Sequence, residues 1–342
     1  MVFVDRRGPD MGAAAARRTT SQVVEIDTNV RVGDAAIRVI CEVHWPENPR
    51  NSGAILFCTP GGGVSRRYFS LRDPEARPGP AMFDEPFNFT RAMTRAGHVV
   101  IVIDPIGVGE STRPADGYAL RNDLVAEVNH LALEQLLDRL RRGELAAELE
   151  AMRNWPIVGI GHSAGAMLTA LQQDRYRDFS ALILLCFGTR GLPDYIDETH
   201  RAVLATGFPT QAQIGDFARR MFGGSGYADL PPHNVDSPAA RALQQAVDKV
   251  VAPVAAHAMT PGNVARELAG IDVPVFLAVG ERDMTGPPEQ MINDYPNCPK
   301  LALTVVRNAG HHVFVSALSR QLNSAISRWI FQQVGGRNDP RI

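Results

Sequence analysis

The sequence predicts an α/β fold. We expect a mostly parallel central sheet of about eight strands, flanked by helices on both faces and carrying an inserted helical cap. Three observations predict it. Continuous apolar runs recur at 54–58, 98–103, 155–160, 181–186, 273–279 and 302–306, as strands covered on both faces require. Helical stretches alternate with these runs, and such alternation implies parallel strands joined by crossover helices. One long stretch, residues 188–270, offers helix starts but no strand run.

Each element has its own signal. Residues 1–20 hold Arg6, Arg7, Arg17 and Arg18 around Ala13–Ala16 and read as a mobile tail. That alanine run is too short for a secretory apolar segment, and no run is long enough to span a bilayer, so a cytoplasmic protein is expected. Val23–Ile26 and Ile37–Val43 alternate as a half-exposed hairpin. Residues 86–96 read as a helix. Apolar positions 120, 124, 128, 131, 136 and 140 mark an amphipathic helix. The last helix carries Leu318, Leu322, Ala325, Ile326, Trp329 and Ile330 on one face. Residues 21–187 and 271–336 form the expected core, with 188–270 as the cap lying over the strand ends. Within the cap, Thr210 with Gln213 reads as a capping box, and Ser237-Pro238 and Thr260-Pro261 as cap-plus-proline starts.

Composition excludes several classes. The chain has 342 residues, 45% of them apolar, and a net charge of −2. A near-neutral balance favours neither nucleic acid nor an anionic membrane, leaving a small molecule as the expected partner. The four cysteines (Cys41, Cys58, Cys186 and Cys298) show no metal-binding spacing, and Cys58 and Cys186 sit inside apolar runs as buried thiols.

Chemistry enters at Gly161-His162-Ser163-Ala164-Gly165, between the strand run 155–160 and a helical run starting at Ala166. A G-x-S-x-G turn from strand to helix holds the serine hydroxyl exposed in a strained conformation, poised as a nucleophile. A serine at neutral pH also needs a base, an orienting acid and oxyanion donors. Candidates follow strand runs: Asp283 in Gly280–Asp283, His311 in Asn308–His311, and Gly61–Gly63 after the run ending at Cys58.

These motifs resemble the α/β-hydrolase superfamily over about residues 23–335. The order Ser163, Asp283, His311 is the one such enzymes use. The segment Asp104–Ser111 is similar to the family turn D-x-x-G-x-G-x-S, whereas Pro60-Gly61 stands where many members have His-Gly. The resemblance implies Ser163 as nucleophile, His311 as base and Asp283 as its orienting acid. It implies Gly62, with Gly63 second, and Ala164 as oxyanion donors, and no metal or organic cofactor. Serine in the elbow disfavours the aspartate-dependent dehalogenases and epoxide hydrolases. The implied function is hydrolysis of a carboxylic ester or lactone through an acyl-enzyme. Thioesterase, acyltransferase, carbon–carbon bond hydrolase and a non-catalytic small-molecule receptor are the alternatives.

Several positions have competitors in the sequence. His312 competes with His311, and Glu281, Asp194 and Asp197 compete with Asp283. His162 and Asp104 are expected to pack and to shape a turn. Arg66 and Arg67 either grip an acidic substrate group or pair internally. Tyr68 and Phe69 either line the pocket or pack the loop, and Met221, Phe222 and Met259 form cap core or pocket wall.

Overall fold

The computed structural model describes residues 19–46, 53–72, 86–146, 149, 154–198, 201, 210–230 and 236–334. The expected tail lies outside the described residues up to 18, while Thr19 and Thr20 already belong to the first strand.

Eight strands form one sheet. They are β1 (Thr19–Val32), β2 (Ala35–Pro46), β3 (Ile55–Thr59), β4 (Val99–Asp104), β5 (Ile157–His162), β6 (Ala181–Leu185), β9 (Val275–Gly280) and β10 (Leu301–Val306). Their spatial order is β1-β2-β4-β3-β5-β6-β9-β10. β1 and β2 form the antiparallel hairpin, β2 pairs antiparallel with β4, and the remaining pairings are parallel. Every residue of β3, β4, β6 and β9 is buried, which is why those segments lack polar alternation. β1 alternates exposed and buried positions because one of its faces meets solvent.

Core helices α1 (Phe89–Ala96), α2 (Asn122–Arg141), α3 (Ala164–Tyr176) and α9 (Ser319–Val334) cover the sheet. α1 begins at Asn88, whose side chain accepts from the Arg91 amide, and ends at left-handed Gly97. Two apolar clusters lie on opposite faces of the sheet. One gathers Val99, Ile101 and Ile103 under α2 and α3; the other gathers Val100 and Val102 with Ile326, Trp329 and Ile330 of α9. A period of two in β4 therefore feeds both layers.

Between β6 and β9 the chain forms α4 (Gln211–Phe222), α5 (Pro238–Gln244), α6 (Ala252–Met259) and α7 (Ala265–Ala269). Thr210 and Gln213 form the expected capping box, and Ser237 caps α5 with Pro238 in the first turn. Two expectations are corrected. The insertion does hold a small antiparallel ladder, β7 (Tyr227–Ala228) with β8 (Val250–Val251), too short to carry a periodic signal. Thr260 closes α6 rather than opening a helix, its hydroxyl bonding the Ala256 carbonyl at 2.7 Å. A short α8 (Pro288–Met291) precedes β10.

Candidate active site

Parallel strands bring the singled-out residues to one edge of the sheet. Ser163 leaves the end of β5 with φ 54° and ψ −125°, a conformation that L-residues rarely adopt. Two glycines make this turn possible. A Cβ at Gly161 would overlap Ala166, and one at Gly165 would overlap the carbonyls of Thr59 and Pro60. The Ser163 amide is anchored to the Leu185 carbonyl at 2.8 Å.

Asp283 follows β9 and His311 follows β10. Their loops are stitched together by the Glu281 amide to Val306 and the Arg282 amide to Ala309, each 2.9 Å. Gly280 permits this, because a Cβ there would collide with the carbonyls of Ala309 and Gly310. A hydrogen-bond relay results. The Ser163 hydroxyl lies 2.8 Å from His311 Nε2, and His311 Nδ1 lies 3.0 Å from Asp283 Oδ1.

The environment keeps the acid ionised. The Asp283 side chain is fully buried, and burial pushes its carboxyl upward. The hydrogen bond and charge of His311, the Cys186 thiol and the Thr285 amide outweigh burial, holding it well below the usual carboxylate range. Thr285 donates to Oδ1 through its amide and its hydroxyl, each at 3.0 Å.

The competing residues lie elsewhere. Asp194 is exposed and pairs with Arg190 at 3.3 Å; Asp197 is exposed; the Glu281 carboxylate accepts from the Asn308 amide at 2.8 Å. His312 packs against Tyr68 and His162. His162 does more than pack: its Nε2 donates to the His311 carbonyl at 2.9 Å, and Tyr68 stacks on its ring at 4.5 Å. Burial keeps His162 neutral, with its pKa well below the usual histidine value.

Gly61 approaches the Ser163 Cβ, and Gly62 lies beside Ala164. Ala164 is the first residue of α3, so its amide has no intrahelical acceptor and sits at the positive end of the helix dipole. A cavity of about 350 Å³, including its mouth, opens there between Gly61–Gly63 and Ala164. Its other walls are apolar, including Ile106, Val108, Leu168, Val251 and Val254, except for Lys249.

The arginines resolve toward internal pairing. Arg66 is buried; its guanidinium binds Asp104 and Glu110, and its amide donates to Asp104 Oδ1 at 2.7 Å. Asp104 is fully buried, and its Oδ2 also takes the Glu110 amide at 3.0 Å. Tyr68 and Phe69 are fully buried and pack the loop. Met221 is exposed, so it is not insertion core; Phe222 and Met259 pack against Ile214, Phe217 and Ala256. Sequence reasoning did not anticipate Thr285 or Cys186 beside the acid. Nothing in their local pattern separates them from ordinary loop and strand residues. The segment Asp104–Ser111 is readable as a turn, but nothing in it points to Arg66 as the partner of Asp104.

With this geometry in place, comparison with known proteins assigns the chain. The model of the alpha/beta hydrolase family matches residues 11–322, and the chain belongs to that family. Solved structures with the same fold include an esterase from Thermogutta terrifontis, at 19% identity and TM-score 0.57, covering 92% of this chain and 99% of that one. A bromoperoxidase from Bacillus anthracis shares 16% identity at TM-score 0.57, covering 91% and 100%. An N-acyl homoserine lactonase, AidH, crystallised with N-hexanoyl homoserine, shares 16% at TM-score 0.54, covering 92% and 97%. No curated protein sequence matches the chain. Among the described residues no helix is long and apolar enough to cross a membrane.

Proposed function

We propose that the protein hydrolyses a carboxylic ester or lactone of a small molecule through an acyl-enzyme on Ser163. One observation carries this reading: the relay from the Ser163 hydroxyl through His311 to buried Asp283, with spacings of 2.8 and 3.0 Å. His311 takes the serine proton as Oγ attacks the carbonyl carbon. Asp283 fixes the imidazole with Nδ1–H toward the carboxylate, so that Nε2 is the acceptor, and stabilises the imidazolium. The Gly62 and Ala164 amides hydrogen-bond the tetrahedral oxyanion. His311 then protonates the leaving alcohol and later activates the water that releases the acid. None of these steps calls for a metal or organic cofactor.

The esterase and the lactonase among the fold relatives are compatible with this chemistry. We also read residues 188–270 as a cap, since Lys249, Val251 and Val254 wall the cavity beside Ala164. All four cysteines are free thiols, which fits the reducing cytoplasm.

The test is turnover of short p-nitrophenyl esters by the wild type and by Ser163→Ala. Alanine fits the elbow, so the variant should fold, and kcat should fall by about 10⁴-fold or more because the relay acts as a unit. Wild-type-like turnover by folded Ser163→Ala would reject the mechanism.

A further inference from the structure

Three segments meet beside the cavity and hold one another in a closed triangle. The first is the loop 60–66, which passes the Ser163 elbow at Gly61 and Gly62. The second is the turn 104–113 after β4. The third is the inner edge of the insertion, residues 246–249.

Loop and turn are joined by buried Asp104, which takes the amides of Arg66 at 2.7 Å and Glu110 at 3.0 Å and the Arg66 guanidinium. Gly109 has φ 57°, and a Cβ there would overlap the Asp104 carboxylate, so only glycine lets the turn wrap this acid. Loop and insertion are joined by main chain. The Asp248 amide donates to the Gly63 carbonyl at 2.9 Å, the Ser65 amide to the Ala246 carbonyl at 2.8 Å, and Val64 bridges Val247. Insertion and turn are joined by the Asp248 side chain. Oδ2 accepts from the Gly109 amide, and Oδ1 accepts from Arg113 at 2.9 Å. Arg113 in turn bonds the Gly107 carbonyl at 3.0 Å.

Asp248 thus belongs to two sides of the triangle. Its amide holds the loop, and its carboxylate fixes that amide to the turn on which the loop already rests. Side-chain exposure at Asp248 is only 15%, so its bond to the Gly109 amide is little screened, whereas Arg113 is more exposed and its pairing is weaker. Without the carboxylate, the loop would keep its short main-chain bridge and the Ser65 hydroxyl bond to the Ala246 carbonyl at 3.3 Å, but that bridge would lose its side-chain link to Gly109 and Arg113 of the turn.

We propose that Asp248 is a positioning residue for the oxyanion hole: an insertion residue that holds loop 60–66, and through it the Gly62 amide, in register with the Ala164 amide. The proposal rests on the acyl-enzyme reading and extends it. Oxyanion donors act only when preplaced, and a misplacement of about 1 Å costs on the order of 10²-fold in rate. The inner edge of the insertion is then a fixed wall of the site.

The test compares Asp248→Ala and Asp248→Asn with Asp229→Ala. Asp229 is an exposed partner of Lys249 on the same insertion and serves as control. Three readouts are taken: kcat and KM on p-nitrophenyl butyrate, inhibition by a trifluoromethyl ketone that forms a tetrahedral adduct, and hydrogen exchange of the 61–66 amides. Asp248→Ala should lower kcat by about 10- to 100-fold with KM changed less than about twofold. It should weaken the ketone by the same factor and speed exchange in 61–66. Asp248→Asn, which keeps an acceptor for Gly109 but loses the charge facing Arg113, should fall between. If Asp248→Ala does not fold, Asp248→Asn carries the comparison. Unchanged kcat, a rise in KM alone, an equal loss in Asp229→Ala, or unchanged exchange would each overturn the proposal. A wild type without ester turnover would instead overturn the functional reading, and the exchange arm would still decide the role of Asp248.

Discussion

Asp283 separates the roles of charge and geometry at the residue scale. Its carboxyl is held far below the ordinary range by His311, Cys186 and Thr285 against the opposing effect of burial. With a depressed folded-state pKa, the carboxylate's contribution is complete above its unfolded value of about 4 and is lost only as pH falls through the lower folded value. Asp283 is therefore ionised at neutral pH. The Asp283 side-chain carboxyl should show no titration between about pH 4 and 6 when followed by carbon NMR. A titration step in that range would contradict the depressed value. Asp283→Asn should cost orders of magnitude in kcat, because an amide can favour the wrong imidazole tautomer. The same exchange at Asp194, or Glu281→Gln, should cost far less; an inactive Asp194→Asn beside an active Asp283→Asn would move the acid to the segment after β6. Ser163, Asp283 and His311 were legible because each follows a strand run in a recognisable short motif. The supporting roles of Thr285, Cys186 and His162 were not, because they depend on which loops fold back together.

At the scale of elements, legibility followed burial. β3, β4, β6 and β9 are buried throughout, and their unbroken apolar runs mark them plainly. The ladder of β7 and β8 spans two residues per strand and is set by the packing of the insertion rather than by a period of its own. Thr260-Pro261 looked like a helix start, but the Thr260 hydroxyl turns back to the Ala256 carbonyl and ends α6. α6 also supplies Val254 to the cavity wall, which yields an expectation for the insertion. Val254→Ala should widen the cavity and raise kcat/KM for hexanoate relative to acetate esters by about tenfold, the scale of one to two methylenes in an apolar pocket. An unchanged ratio across p-nitrophenyl esters would leave the insertion as scaffolding alone.

For the whole molecule, the eight-stranded sheet is what makes the site. It places the ends of β5, β9 and β10 side by side, so residues 163, 283 and 311 meet although more than a hundred positions separate the first from the others. The sheet and its strand order belong to the alpha/beta hydrolase family, and the same fold carries esterase, bromoperoxidase and lactonase relatives. Fold alone does not choose among such chemistries. The reading proposed for this chain rests on whether Ser163 becomes acylated. The most direct measurement is the intact mass of the protein, acid-quenched within the first turnover of a p-nitrophenyl ester, with peptide mapping of any adduct. The account predicts one acyl group per chain, located on Ser163, that disappears as the ester is exhausted and never forms on Ser163→Ala. Turnover proceeding with no adduct, or an adduct on another residue, would contradict it.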